Sequence, residues 1–97
     1  MARYDLFPDR EDFLLDVQAN TLEGLNTRIV VPVRVPVRAP RPAHRLNPVF
    51  HLNGAPYVMV TQYLAAVPEH ELGRAHANLS GHHDEIVAAL DMLFHGF

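Results

Sequence analysis

The chain has 97 residues, a net charge of −3, 48% apolar residues and no cysteine. That is one domain's worth of chain, residues 1–97, with no disulfide to staple it, and folding a chain this short buries only about two-thirds of its unfolded surface. The longest apolar run falls far short of the ~20 residues a membrane helix needs, and no signal peptide opens the chain, so a soluble cytoplasmic protein is expected.

Ala2 to Phe7 reads as a first strand, Pro8 to Asp12 as a polar turn and Phe13 to Gln18 as a second strand, which makes an N-terminal hairpin the simplest pairing. Asp16 sits between apolar neighbours. A catalytic acid is one reading, and the outward face of a strand is the commoner one. Asn20 to Asn26 is a connection. Thr27 to Val33 is the strongest strand former, dense in β-branched residues, but Pro32 lacks an N–H, so that strand is expected at an edge or with a bulge. Arg34 to Pro48 carries Pro36, Pro40, Pro42 and Pro48 and reads as an irregular crossing. Val49–Leu52, Asn53-Gly54 and Ala55–Gln62 form a hairpin, because Asn-Gly supplies the two positive φ angles of a type I′ turn. Tyr63 to Val67 continues as a strand or extended piece ended by Pro68, and Glu69 to Leu79 is a polar turn and loop.

The clearest signal comes last. Ser80 is the expected N-cap, Asp84 and Glu85 favour the positive end of a helix dipole, and Ile86, Val87, Leu90, Leu93 and Phe94 recur at helical spacing. Gly96 is the expected stop, which places a helix at about 81–95. The sum is a mainly β protein, several short antiparallel strands in a barrel or sandwich closed by one C-terminal α-helix. Dimerisation is an expected source of extra buried surface.

The charges are segregated. Residues 1–23 hold six acids and two arginines, residues 24–68 hold five arginines (Arg28, Arg34, Arg38, Arg41, Arg45) and no acid, and residues 69–97 hold five acids and one arginine. The basic middle either faces an acidic partner or is a solvated surface neutralised by the acidic ends. Catalytic machinery is not visible. The seven histidines show no HExxH spacing, and His82-His83 point ~100° apart on a helix, so no metal or cofactor is expected and exposed helix-start histidines are the better reading. The one serine suits a cap, no glycine-rich loop follows a strand, and aromatics are not interleaved with the arginines as a single-strand binder requires.

Leu15-Asp-Val-Gln-Ala19, Asn26-Thr-Arg-Ile-Val-Val-Pro32, Leu46-Asn-Pro-Val-Phe-His51, Val58-Met-Val-Thr-Gln62, Ala66-Val-Pro68 and Ile86 to Phe97 occur in this order. Together they resemble CcdB, the toxin of the CcdA–CcdB toxin–antitoxin system, over nearly the whole chain. The resemblance implies a homodimer with an SH3-like antiparallel barrel, a small second sheet and a C-terminal α-helix. It also implies a non-enzymatic toxin that binds the A subunit of DNA gyrase and traps the cleaved-DNA complex. A CcdA-type antitoxin would neutralise it and co-repress the operon with it, so that DNA is met only through gyrase or the antitoxin complex. The family's poisoning motif, Trp-Gly-Ile, falls on His95, Gly96 and Phe97. An imidazole offers a smaller stacking face to the gyrase arginine than an indole, and repels it when protonated, whereas Phe97 keeps an apolar aromatic end. Without the resemblance the favoured reading of this tail is a helix stop with its last aromatic tucked onto the barrel, and with it a functional tail is favoured. Arg34, Arg38, Arg41 and Arg45 become candidates for holding an acidic antitoxin segment. Two other readings stay open: a MazF-like endoribonuclease on the same barrel, and a CcdB homologue whose gyrase activity is weakened while antitoxin binding persists.

Overall fold

A computed structural model describes residues 1–97. β1 (Asp5–Asp9) and β2 (Asp12–Asp16) form the expected N-terminal hairpin, Leu6 opposite Leu15. The reversal is tighter than the expected Pro8–Asp12 turn, because only Arg10, at φ +58°, and Glu11 lie outside the pairing. Pro8 is tolerated inside β1 because it pairs with Phe13 alone, beyond the stretch where Asp5 and Leu6 also meet β7 (Ala77–Asn78).

β3 (Thr27–Arg34) is the interior strand, with β2 along one side. Its other side is shared. Val33 and Arg34 pair with β5 (Ala55–Met59), while Thr27 to Val30 pair with β6 (Ala65–Pro68). β5 and β6 thus act as one strand interrupted by a 3-10 turn at Thr61–Tyr63, and the register slips by three residues across it. The strand expected to run through Gln62 therefore ends at Met59. Pro32 lies in this gap, where only its carbonyl is used, accepting from the Val60 N–H at 2.8 Å. The missing N–H marks a change of neighbour, neither an edge strand nor a bulge.

β4 (Val49–Leu52) hangs on β5 through Asn53 (φ +53°) and Gly54 (φ +82°), the two left-handed residues of the Asn-Gly turn. β4 and β5 form a small arm of sheet joined to the rest through β3. The proline-rich crossing, irregular but for a 3-10 turn at Pro36–Arg38, is tied down by Asn47. Its amide donates to the Met59 carbonyl (3.0 Å) and to Gln62 Oε1 (2.8 Å), and its Oδ1 accepts from the Ala43 N–H (3.0 Å). Thr61 Oγ1 adds a bond to the Leu46 carbonyl.

The sheet is antiparallel throughout and curls into a half-barrel over the helix α1 (His83–His95). Strand alternation puts Leu6, Leu15, Val17, Val31 and Val33 on the concave face, where they meet Phe50, Met59, Leu79, Ile86 and Ala89 in the main core. The opposite face carries a smaller cluster of Phe7, Val30 and Leu72. Ile86 is wholly buried and is the largest helix side chain in the main core. Ile86→Ala should cost about 2–5 kcal/mol in a urea denaturation series, with the slope unchanged.

The helix starts later than Ser80 and without a side-chain cap. Ser80–His82 is a 3-10 turn, and the Ser80 N–H donates to Asn78 Oδ1 (2.9 Å), so asparagine, not serine, turns the chain. The reason lies one residue on: Leu79 is buried and its N–H is bonded to the Tyr4 carbonyl, which pins the chain to β1 before the helix can begin. The paired histidines also do more than face water. The His82 ring packs 4.8 Å from Phe50, and His83 Nδ1 meets the Tyr4 hydroxyl at 2.5 Å, holding the helix start on the barrel.

Candidate functional site

Burial along α1 stops short of its C-terminal end. Ile86 and Ala89 are buried and Leu90 touches the core, but from Phe94 onward every residue is exposed. Phe94, expected in the buried stripe, is 63% exposed. His95 is the last helical residue. Gly96 adopts φ +79° and donates its N–H to the Met92 carbonyl at 3.0 Å, closing the helix in the left-handed conformation that glycine takes at least cost. The turn at Gly96 sends Phe97 outward, 76% exposed, with its ring 6.3 Å from that of His95. Phe97 is therefore not tucked onto the barrel. His95, Gly96 and Phe97 form a short projecting tip, with Phe94 one turn behind.

The arginine band divides into committed and free members. Arg28, one of the five arginines of the basic middle, is 1% exposed, and its Nε donates to Asp16 Oδ2 at 2.7 Å. Asp16 is 0% exposed, and its Oδ1 accepts from the Gln18 N–H at 3.0 Å. Asp16 points away from the main core as strand alternation requires, but that face is covered, so it belongs to a buried ion pair and faces no solvent. The signal was present as opposite charges in a diagonal relation on neighbouring strands, since Asp16 pairs with Val30, two residues from Arg28. Arg38 makes a bidentate contact to Asp12 (2.9 Å to each oxygen) and reaches Glu11 at 3.1 Å. Arg34 lies 5.4 Å over the Tyr63 ring. Arg41 and Arg45 are exposed and hold no ion pair. Self-neutralisation thus accounts for Arg28 and Arg38 and leaves Arg41 and Arg45 available.

The hydrogen bond from Arg38 holds the Asp12 carboxyl below its usual pKa, helped by the Val35 N–H against partial burial. A carboxyl with a depressed folded pKa adds stability that is present above its unfolded value of about 3.9 and is lost as pH falls through the folded value. Asp12→Asn should therefore be less stable than the parent at pH 7, and the difference should vanish below the folded pKa; urea midpoints at both pH values check it. The same pairing bears on acid–base chemistry. Asp12 lies in a polar depression with Asp9, Arg10, Glu11, Arg34 and Arg38, but it is held ionised and occupied, unsuited to proton exchange near neutral pH. No three His, Asp or Glu side chains gather where they could hold a metal.

A groove of about 550 Å³ runs between the end of the proline-rich crossing and the helix, lined by Pro42 to Arg45, Asn47 to Val49, Glu85 and Ala88. It brings Arg45 to the helix but leaves the 95–97 tip outside. No helix is long and apolar enough to cross a membrane. Against known families, residues 3–96 match the family model described as CcdB protein.

Proposed function

The chain belongs to the CcdB family of toxin–antitoxin toxins, and from that membership we propose that it poisons DNA gyrase, binding the A subunit and holding the enzyme on cleaved DNA. The observation that carries this reading is the projecting tip, with His95, Gly96 and Phe97 delivered beyond the packed body by a helix anchored through Ile86. A poison of this kind needs no catalytic group of its own. It shifts gyrase toward the cleaved state only by as much as it binds that state more tightly, tenfold for each ~1.4 kcal/mol. The chain acts as a homodimer in the cytoplasm, where two tips related by a two-fold axis suit a two-fold target. A CcdA-type antitoxin neutralises it and joins it in repressing the operon.

The antitoxin meets the free arginines. Arg41 and Arg45 carry most of the attraction for its acidic segment, Arg34 and Arg38 less, since Arg38 already faces Asp12 and Glu11. Antitoxin association should slow steeply with added salt, and Arg45→Glu should slow it further, by about tenfold at low ionic strength. A salt-independent on-rate in stopped flow contradicts this.

Induction of the chain in bacterial cells tests the function. The expected result is growth arrest with fragmented chromosomes and intact messenger RNA. Fragmented messenger RNA with intact chromosomes overturns the proposal in favour of a ribonuclease. One observation favours a second reading, a homologue with weakened gyrase activity: His95 stands where the family has tryptophan. In that case induction arrests nothing until His95→Trp restores the larger ring.

A further inference from the structure

The geometry points to the open edge of β4 and the adjoining groove as the seat of an extended acidic peptide that carries one apolar side chain. β4 ends the strand order of the sheet. Across the two-residue Asn53-Gly54 turn, Leu52 and Ala55 form a hydrogen-bonded pair, so bonded pairs alternate from there. Phe50 with Tyr57 is bonded, and Pro48 keeps the phase by accepting from the Met59 N–H at 2.9 Å. The N–H and C=O groups of Val49 and His51 therefore point away from β5, toward open space. Long open edges are usually blunted by lysine, proline or a bulge. Here the two outward residues are Val49, 41% exposed, and His51, neither of them lysine or proline.

The groove supplies what a strand alone lacks. Val49 lines it together with Pro48 and Ala88, an apolar floor for one side chain, and Arg45 stands at its rim without a partner. Glu85 closes the other side with its carboxylate 3.1 Å from His82 Nδ1, so an acid entering the groove is drawn to the Arg45 side and an apolar group to the Ala88 side. Strand addition gives backbone bonds, and alternate side chains give selectivity. Given the toxin–antitoxin function proposed above, the occupant is the acidic segment of the antitoxin, seated at Arg45 and β4 and clear of the depression around Arg34 and Arg38.

The test uses the full-length, nitrogen-15-labelled protein and a synthetic peptide of alternating leucine and glutamate. The expected result is amide shifts centred on Val49 and His51. His51→Pro removes an outward donor without touching the β4–β5 ladder, and it should weaken binding at least about tenfold, as should Arg45→Glu. Arg74→Glu, the same charge change outside the groove, should stay within about twofold. Arg45→Glu keeps the test open if the proline variant misfolds. Unchanged binding by His51→Pro with a native spectrum overturns the inference, as do shifts centred on Arg34 and Arg38 or on Phe94 to Phe97. Val49 and His51 amides already protected from exchange in the peptide-free dimer also overturn it, because a second copy then covers the edge. Gyrase is absent from this experiment. A chain that takes the peptide along β4 yet leaves gyrase untouched overturns only the function, and a gyrase poison that refuses the peptide overturns only this inference.

Discussion

Arg28→Met is expected to cost about 3–5 kcal/mol, a large share of the ~5–15 kcal/mol that holds a domain of this size. The side chain is 1% exposed and its loss strands the Asp16 carboxylate, itself 0% exposed, with the Gln18 N–H as its remaining hydrogen-bond donor. Asp16→Leu should be as harmful for the mirror reason, an uncompensated guanidinium. The double variant Asp16→Leu/Arg28→Met should recover most of the loss. Two features favour recovery. Desolvating both charges consumes much of their attraction, and Arg28 Nη2, though 2.7 Å from Asp16 Oδ2, has no partner at hydrogen-bonding angle. Urea denaturation of the four proteins gives the coupling energy directly. Single variants within about 1 kcal/mol of the parent contradict a buried pair.

Deleting Gly96-Phe97 should abolish growth arrest while leaving the melting temperature and antitoxin capture in place. Nothing beyond Leu93 contributes to the core, so the tip is dispensable to the fold. Phe97→Ala alone removes an aromatic face that is 76% exposed in the free protein. If the target buries it, the loss is about 1.5–3 kcal/mol, roughly 10- to 150-fold in potency. His95→Trp should act in the opposite direction by enlarging the stacking face. A deletion that arrests growth as well as the parent places the poisoning surface elsewhere.

Much of the fold was legible where one residue carries one backbone demand. Asn53-Gly54 specified a turn that needs two positive φ values, and Gly96 specified a left-handed helix stop, and both are present. The β-branched run Thr27–Val33 became the strand that joins the sheet. Features that depend on what lies opposite were less legible. Pro32 signals a missing donor, but whether that means an edge or a change of neighbour depends on β5 and β6 sharing β3, which no local pattern encodes. Asp16 follows strand alternation, but alternation does not reveal that the second face is covered near Leu72. Ser80 is a good cap by type, yet Leu79, pinned to Tyr4, decides where the helix begins.

The candidate site divides the same way. The letters His-Gly-Phe pointed to a tip only through the family resemblance, because the spacing of Phe94 and Leu93 continues the buried stripe without a break. What sets them apart is that burial along the helix stops before Phe94, a property of the assembled body. The arginine band was visible as composition, but its division into committed and free members needed the positions of Asp12 and Asp16.

The most direct measurement is DNA cleavage by purified gyrase. The chain is incubated with gyrase, ATP and supercoiled plasmid, the reaction is stopped with detergent and protease, and linear DNA is read on a gel. A gyrase poison acting through its tip gives linear product with the full chain and none when Gly96-Phe97 is deleted. No linear product at high excess of a folded dimer contradicts it.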